Sequence, residues 1–199
     1  MKVAIVKYNA GNIFSVDYAL RRLGVEAEIT GDAEKIRTAD KVIFPGVGEA
    51  ETTMQYLKAN GLDKLIKDLR QPTLGICIGM QLMCQSSEEA ASGNVDCLGI
   101  FSEKVRKFIP SSPSIKVPHM GWNTLEKCQS PLLNGLPDDP YFYYVHSYYA
   151  TVGEDTIAQT EYIHPYSAAL QKDNFYAVQF HPEKSGAMGE IVLENFLRL

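Results

Sequence analysis

The segment TLGICIGMQLM (residues 73–83) is the strongest indication of the fold of this chain. An apolar, β-rich run, TLGIC (73–77), leads directly into a second apolar run that favours a helix. At the junction, Cys77 stands between Gly75 and Gly79, each separated from it by one residue. In such a G-x-nucleophile-x-G turn the glycines relieve crowding and the turn aims the central side chain out of the sheet. The segment therefore predicts a strand, a sharp turn that carries a reactive cysteine, and a helix.

The residues before this stretch continue the same alternation of strands and helices. Strands are predicted at VAIVKY (3–8), VEAEI (25–29) and KVIFP (41–45), and helices from about Ile13 to Leu23 and after Gly48. This order is typical of βαβ units, in which a parallel sheet is covered by helices.

The second half of the chain is richer in strands. They are predicted at YFYYVHSYYA (141–150), DTIAQTEY (155–162), SAALQ (167–171) and FYAVQF (175–180), followed by a closing helix through Phe196. Residues 110–118, bounded by prolines, are predicted to form a surface loop. We therefore expect an α/β fold with a mostly parallel, open, helix-covered sheet and an added antiparallel portion in the second half.

Length and composition narrow the class of protein. The 199 residues predict one domain, residues 1–199. The net charge of −5 argues against a nucleic-acid or anionic-lipid partner, and no run approaches the roughly 20 apolar residues of a membrane span. Lys7 interrupts the N-terminal apolar run, so it is not interpreted as a secretion signal. The four cysteines form no CxxC or Cys/His cluster, so we expect reduced thiols, no metal and a cytoplasmic location.

A second chemical motif, QFHPEKS (179–185), follows the last predicted strand. Pro182 restricts the backbone, so His181 and Glu183 are expected to turn to the same side. A carboxylate two residues away can fix the imidazole tautomer so that the other ring nitrogen faces a thiol. A lone histidine is more often structural, but together with Cys77 this motif favours a triad: Cys77 as nucleophile, His181 as acid and base, and Glu183 as the orienting carboxylate.

A third motif, PGVG (45–48), follows the strand KVIFP. Acyl transfer requires N–H donors at the developing oxyanion, and these can come from the residue after the nucleophile, Ile78, and from a glycine-rich loop. By itself PGVG is only a turn. Neither GxGxxG nor GxxxxGK[ST] occurs, so no nucleotide cofactor is expected. Residue patterns alone thus predict a cysteine acyl-transfer enzyme of unspecified substrate.

Taken together, the motifs resemble a known family over essentially the whole chain. The oxyanion loop, nucleophile turn and His-Glu segment of class I glutamine amidotransferases, whose fold is flavodoxin-like, are similar to PGVGEAE (45–51), GICIGMQLM (75–83) and QFHPEKS (179–185). Within that superfamily, the glutaminase subunits of imidazole glycerol phosphate synthases are similar at YNAGN (8–12), PHMGWN (118–123) and YYVHSYY (143–149). Those subunits supply ammonia to a separate cyclase subunit in histidine biosynthesis.

The resemblance implies a substrate, L-glutamine, and a set of binding residues. Cys77 would attack the side-chain amide, and His181 would protonate the departing ammonia and then activate water. The implied oxyanion and substrate-binding positions are Gly46, Val47, Gly48, Ile78, Gln81, Glu89, Ser147 and Tyr148. The alternative to substrate binding is that Gln81 and Glu89 lie on a solvent-exposed helix face and loop.

The resemblance also implies a heterodimer in which ammonia is channelled to the cyclase. The expected interface surrounds the mouth of the site, at Asn12, Met120, Trp122 and Lys184. A core aromatic is the alternative for Trp122, and a solvated charge is the alternative for Lys184. Three other functions stay open at this point: a different amidotransferase subunit, a non-catalytic relative, and a free-standing hydrolase or peptidase.

Overall fold

The computed structural model describes residues 1–8 and 13–199. Its first half contains, in order, β1 (Val3–Val6), α1 (Ile13–Arg22), β2 (Ala27–Thr30), α2 (Ala33–Arg37), β3 (Lys41–Phe44), α3 (Ala50–Ala59), α4 (Leu62–Lys67), β4 (Thr73–Ile76) and α5 (Ile78–Met83). The rest contains β5 (Ser86–Ser87), β6 (Val95–Asp96), β7 (Lys104–Lys107), β8 (His119–Thr124), β9 (Tyr141–His146), β10 (Tyr148–Ala150), β11 (Thr156–Glu161), β12 (Pro165–Lys172), β13 (Phe175–Val178) and α6 (Gly186–Arg198). Short 3₁₀ helices span Pro131–Leu133 and Pro182–Lys184.

The larger sheet is parallel on one side and mainly antiparallel on the other. Strands β2, β1, β3, β4 and β13 run parallel to one another in that order. Beyond them β12 is antiparallel to β13, β11 and β10, and β7, β5 and β6 complete the sheet. This mixed α/β arrangement confirms the predicted division between the two halves of the chain.

Helices cover both faces of the parallel strands. Along β1, Val3 and Ile5 pack in the apolar cluster that holds α1 and α6, whereas Ala4 and Val6 pack in the cluster that holds α2 to α5. Strands buried on both faces are expected to be apolar at successive positions, which is the pattern of the predicted N-terminal strands. None of the described helices is long and apolar enough to cross a membrane.

The last strand brings two distant motifs together. β13 lies beside β4 in parallel register, with Val178 opposite Ile76, and the N–H of Cys77 donates to the carbonyl of Val178 over 2.8 Å. The carboxyl ends of parallel strands meet at one edge of a sheet, where ligands bind. The cysteine turn after β4 and the His-Pro-Glu segment after β13 therefore lie side by side.

The prediction of one strand over residues 141–150 is wrong in detail. The strand breaks at Ser147: β9 pairs with β8 in a separate two-stranded sheet, and β10 pairs with β7 and β12 in the larger sheet. No strand was predicted at HMGWNT, where β8 forms. Its extended conformation comes from pairing with β9 along its full length, from His119 opposite His146 to Thr124 opposite Tyr141.

Candidate active site

Cys77 occupies a strained turn between β4 and α5, with φ 54° and ψ −110°. Glycine makes this turn possible on both sides. A Cβ atom on Gly79 would lie 1.9 Å from the carbonyl oxygen of Phe44, and one on Gly75 would lie 2.9 Å from Sδ of Met83. A positive φ in a non-glycine residue stores strain and is enriched at functional sites. The strained turn therefore indicates a functional role for Cys77, which is 6% exposed.

His181 and Glu183 are held together directly after β13. His181 is extended, and Pro182 begins the 3₁₀ helix that returns Glu183 toward it. Nδ1 of His181 lies 2.8 Å from Oε1 of Glu183, and both side chains are 1% exposed. Ser185 Oγ donates to the backbone carbonyl of His181 over 2.7 Å. Because Nδ1 is committed to the carboxylate, Nε2 is the ring nitrogen available to Cys77.

The charge of Cys77 controls the protonation of His181. Burial opposes a positive imidazole, but the negative charge of Cys77 and the hydrogen bond and charge of Glu183 outweigh it and raise the pKa of His181 to about 10. With Cys77 as thiolate, the histidine is thus an imidazolium at neutral pH and can act as an acid.

The PGVG loop is anchored at one end and open at the other. Tyr8 donates its hydroxyl to the carbonyl of Pro45 over 2.5 Å, and a Cβ atom on Gly46, whose φ is 155°, would lie 2.0 Å from the Tyr8 hydroxyl oxygen. Burial, with a smaller contribution from the charge of Cys77, raises the pKa of Tyr8, so its hydroxyl stays neutral. Val47 and Gly48 beyond this anchor are exposed.

A cleft of about 290 Å³ opens above Cys77. It brings together every predicted oxyanion and substrate-binding residue except Gly46, which is buried against Tyr8. The lining residues are Val47, Gly48, Cys77, Ile78, Gln81, Glu89, Pro118, Val145, His146, Ser147 and Tyr148. The N–H of Ile78 begins α5, so it has no acceptor within the helix and can donate to a ligand.

Gln81 and Glu89 make structural contacts as well as lining the cleft. Gln81 is 3% exposed, so the alternative of a solvated helix face is wrong. Its Nε2 donates to the carbonyl of Tyr148 and to Oε1 of Gln179, each over 2.9 Å. Glu89 accepts from the N–H of Ala50 over 3.0 Å at the start of α3, and burial is the main cause of its raised pKa. Both side chains are therefore held in place before any ligand binds.

Three of the four predicted interface residues lie on the surface. On β8, Met120 is 64% and Trp122 is 55% exposed, so the alternative of a core aromatic is wrong for Trp122. Lys184 is exposed, and its Nζ lies 5.9 Å from the centre of the Tyr143 ring. The Trp122 ring meets the same tyrosine edge-on at 6.0 Å. Asn12 lies outside the described residues.

Two residues near the chemistry lie in motifs quoted above but were not predicted to be site residues. Tyr143 lies between Trp122 and Lys184, and Gln179 is fully buried with its Nε2 3.8 Å from Sγ of Cys77. For Gln179 a signal was present in the sequence, because an amide stands at the end of an apolar strand two residues before His181. For Tyr143 there was none, since it is one of several aromatic residues in a strand.

The other cysteines lack the surroundings of Cys77. None of the four forms a disulfide. Burial, the largest of several causes, raises the pKa of the Cys84 thiol well above its ordinary value, so this residue is unreactive. Cys128 is exposed and is the thiol that reagents reach most easily. Among the described residues no group of three or more His, Cys, Asp or Glu side chains could hold a metal ion.

Sequence comparisons place this chain beside glutamine amidotransferases. The family model described as "Glutamine amidotransferase class-I" matches residues 5–199. Two similar curated proteins are each named imidazole glycerol phosphate synthase subunit HisH. The one from Bacteroides fragilis strain YCH46 is 65% identical over 199 residues, and the one from Photorhabdus laumondii is 47% identical over 203 residues. Each alignment covers 100% of both chains.

Solved structures support the fold alone. A protein from Thermoplasma acidophilum, described as part of a putative GMP synthase, superposes with a TM-score of 0.74 at 22% identity, covering 100% of this chain and 92% of that one. A second structure, described as a glutamine amidotransferase, has a TM-score of 0.74 at 18% identity and covers 98% of this chain and 97% of its own.

Proposed function

The chain belongs to the class I glutamine amidotransferase family, and we propose that it is the glutaminase subunit of an imidazole glycerol phosphate synthase. It hydrolyses L-glutamine to glutamate and ammonia for a cyclase subunit in histidine biosynthesis. The main support for this chemistry is that Cys77 and His181 follow adjacent parallel strands, β4 and β13. Glu183 lies against Nδ1 of the imidazole, the nitrogen that is not available to Cys77. We assign the whole chain, residues 1–199, to this one domain.

The first step forms a thioester. The thiolate of Cys77 attacks the side-chain carbonyl carbon of glutamine, and the carbonyl oxygen becomes negatively charged. The N–H of Ile78 and the amides of Val47 and Gly48 across the cleft are the donors proposed for this oxyanion. His181, as an imidazolium, gives its proton to the amide nitrogen, which leaves as ammonia.

Acylation itself converts His181 from an acid to a base. The negative charge of Cys77 is the largest influence that favours the imidazolium, and the thioester removes this charge. Burial then lowers the pKa of His181, so the neutral imidazole can take a proton from water. The activated water attacks the thioester carbonyl, glutamate leaves, and Cys77 is regenerated as a thiolate beside the imidazolium. Glu183 keeps Nε2 directed at the reaction throughout.

We propose that the partner docks around Met120, Trp122 and Lys184; Asn12, which the sequence also predicts at the interface, lies outside the described residues. The names of the relatives are those of a synthase subunit, which supports a heterodimer with a cyclase subunit. A partner on this rim would cover the cleft and receive ammonia without its passing through bulk water. The enzyme is proposed to be cytoplasmic, where a reducing environment keeps Cys77 as a thiol or thiolate.

A glutaminase assay tests this proposal. The isolated chain is compared with the chain plus the cyclase subunit, with and without the cyclase's ligand. We expect slow hydrolysis alone and a rise of roughly 10²–10³-fold with partner and ligand, the range expected when one oxyanion donor is completed. An unchanged kcat on adding the cyclase, but a rise with another synthase subunit, would assign the chain to a different amidotransferase. Full activity without any partner would favour a free-standing hydrolase.

A further inference from the structure

A chain of buried amides ends on the sulfur of the nucleophile. Gln179, directly after β13, is fully buried, and its Nε2 lies 3.8 Å from Sγ of Cys77. Its Oε1 accepts from Nε2 of Gln81 over 2.9 Å. The same Gln81 nitrogen donates to the backbone carbonyl of Tyr148 over 2.9 Å. Gln179 after β13, Gln81 in α5 and Tyr148 on β10 thus form one hydrogen-bonded line that ends at Cys77.

The direction of this chain follows from its carbonyl end. A backbone carbonyl only accepts, so Nε2 of Gln81 must face Tyr148. Its second hydrogen then requires an acceptor, which is Oε1 of Gln179. Nε2 of Gln179 must therefore face Sγ of Cys77. The opposite orientation would set two amide N–H groups against each other and leave a buried donor unpaired, at the cost of a lost hydrogen bond.

The carbonyl end is itself held firmly. Nδ1 of His146 lies 2.7 Å from the same Tyr148 oxygen. Burial, the largest cause, lowers the pKa of His146 to about 3, so its imidazole is neutral and Nδ1 carries the hydrogen toward the carbonyl. Nε2 of His146 then accepts from the Tyr166 hydroxyl at 3.3 Å. With two donors on one oxygen, the chain that orients Gln179 has a fixed origin.

We propose that Gln179 is a positioning residue for Cys77, donating an N–H to the sulfur so that the thiolate is favoured and held in the direction of attack. Hydrogen bonds to an ionised acceptor are roughly twice as strong as neutral ones, so this donor stabilises the thiolate more than the thiol. The contact between Gln179 and the sulfur of Cys77 is supported by geometry alone. Its consequence for glutamine turnover rests on the function proposed above.

The test measures the reactivity of Cys77 without glutamine or partner. Gln179→Met removes the donor, and Gln179→Glu keeps the side-chain shape but turns an acceptor toward the sulfur. Both are made in a Cys128→Ser background, which removes the exposed thiol. Gln171→Met is the matched control, since Oε1 of Gln171 accepts from Ser130 Oγ over 2.6 Å, on β12 and not at Cys77. Iodoacetamide labelling of Cys77 is followed by peptide mass spectrometry across pH.

In both Gln179 variants we expect the pH midpoint of Cys77 alkylation to rise by about one unit, equivalent to a tenfold loss of thiolate. We expect kcat/KM for glutamine to fall about 10–100-fold through kcat, with KM nearly unchanged, the size expected for one bond to a charged group. The control should keep the wild-type midpoint. The native titratable groups that face Cys77, His181 and Tyr8, are kept in every variant, and Gln179→Glu adds one carboxyl group beside them.

An unchanged alkylation midpoint in a folded Gln179 variant would overturn the proposal, even if activity falls, because loss of an N–H donor to the sulfur must disfavour the thiolate. If Gln179→Met fails to fold, as judged by circular dichroism, Gln179→Glu decides. Cys77→Ala in the same background separates the two claims. Glutamine hydrolysis retained by Cys77→Ala would contradict the proposed function. If Cys77→Ala loses hydrolysis but the Gln179 variants keep the wild-type midpoint of Cys77 alkylation, only this inference is contradicted.

Discussion

The backbone N–H of His181 donates to the backbone carbonyl of Tyr143 over 2.9 Å. Tyr143 lies on β9, opposite Trp122 of β8, and its ring contacts the side chains of both Trp122 and Lys184. The histidine of the triad is therefore bonded to the small sheet that carries the exposed residues of the proposed interface. A partner that moves this sheet can alter the position of His181 directly.

The first prediction concerns Lys184, which lies one residue beyond Glu183 and over the Tyr143 ring. Lys184→Ala should uncouple glutamine-dependent synthesis from glutamine consumption while synthesis from added ammonium stays at the wild-type rate. The reason is that the variant disturbs the passage between the two sites and leaves the cyclase reaction intact. Paired assays of glutamate and cyclase product measure the ratio. Lys64→Ala on α4, another exposed lysine, is the control, and equal ratios in both variants would place the passage elsewhere.

The second prediction is that Trp122 is an anchor of the complex. Trp122→Ala should weaken binding of the cyclase subunit by about 2 kcal/mol, since exposed aromatic residues at the centre of interfaces commonly contribute this much. Isothermal titration calorimetry measures the affinity. Tyr56→Ala, at an exposed aromatic on α3, is the matched control. Wild-type affinity of the Trp122 variant would show that β8 lies outside the interface.

The third prediction concerns the charge coupling between Cys77 and His181. In the wild-type chain the imidazole should stay protonated well above pH 7, because its pKa is raised to about 10. Cys77→Ala removes the negative charge that contributes most to raising the pKa of His181, so this pKa should fall. NMR titration of the His181 ring signals follows both proteins. The same protonation midpoint in the two proteins would show that Cys77 carries no charge at rest.

The fourth prediction is acid destabilisation caused by two buried imidazoles. Burial lowers the pKa of His119 to about 4 and is the main reason that the pKa of His146 falls to about 3. Below pH 6.5, the ordinary value for histidine, the unfolded chain binds more protons than the folded one, so the free energy of unfolding decreases as pH falls from about 6.5 toward 4. The total loss should be on the order of a few kcal/mol.

His119→Phe tests the origin of this loss. It keeps an aromatic ring between Tyr144 and Tyr162, on which His119 stacks, and removes one titrating group. Urea unfolding at pH 7 and pH 5 should show a smaller difference in free energy for this variant than for wild type. His164→Gln, at a partly exposed histidine, is the control. An equal difference in all three proteins would assign the acid sensitivity to carboxylates instead.

The parts of the site that the sequence predicts are those encoded within a few residues. Glycines at 75 and 79 define the turn at Cys77 because any Cβ there would collide with neighbouring atoms, and Pro182 determines how Glu183 returns to His181. The line from Tyr148 through Gln81 to Gln179 could not be predicted. It depends on the order of β4, β13, β12 and β10 in the sheet, which is a tertiary property.

The helix α2 and the strand β8 were not predicted from local sequence patterns. α2 has only five residues and no apolar stripe, and its start is defined by Asp32, whose side chain accepts from the N–H groups of Glu34 and Lys35. The strand after Pro118 forms because β9 is available to pair with it. The exposure of Trp122 follows from that separate sheet, which the aromatic residue itself does not indicate.

Covalent trapping at Cys77 tests whether this residue is the nucleophile. The chain is incubated with its cyclase partner and an electrophilic glutamine analogue, and labelled peptides are identified by mass spectrometry in wild type, Cys77→Ala and Cys128→Ser. We expect stoichiometric labelling of Cys77 in wild type and Cys128→Ser, with loss of glutamine hydrolysis, and neither labelling nor hydrolysis in Cys77→Ala. Labelling at another residue, or substantial hydrolysis of glutamine by Cys77→Ala, would contradict the assignment of Cys77 as the nucleophile.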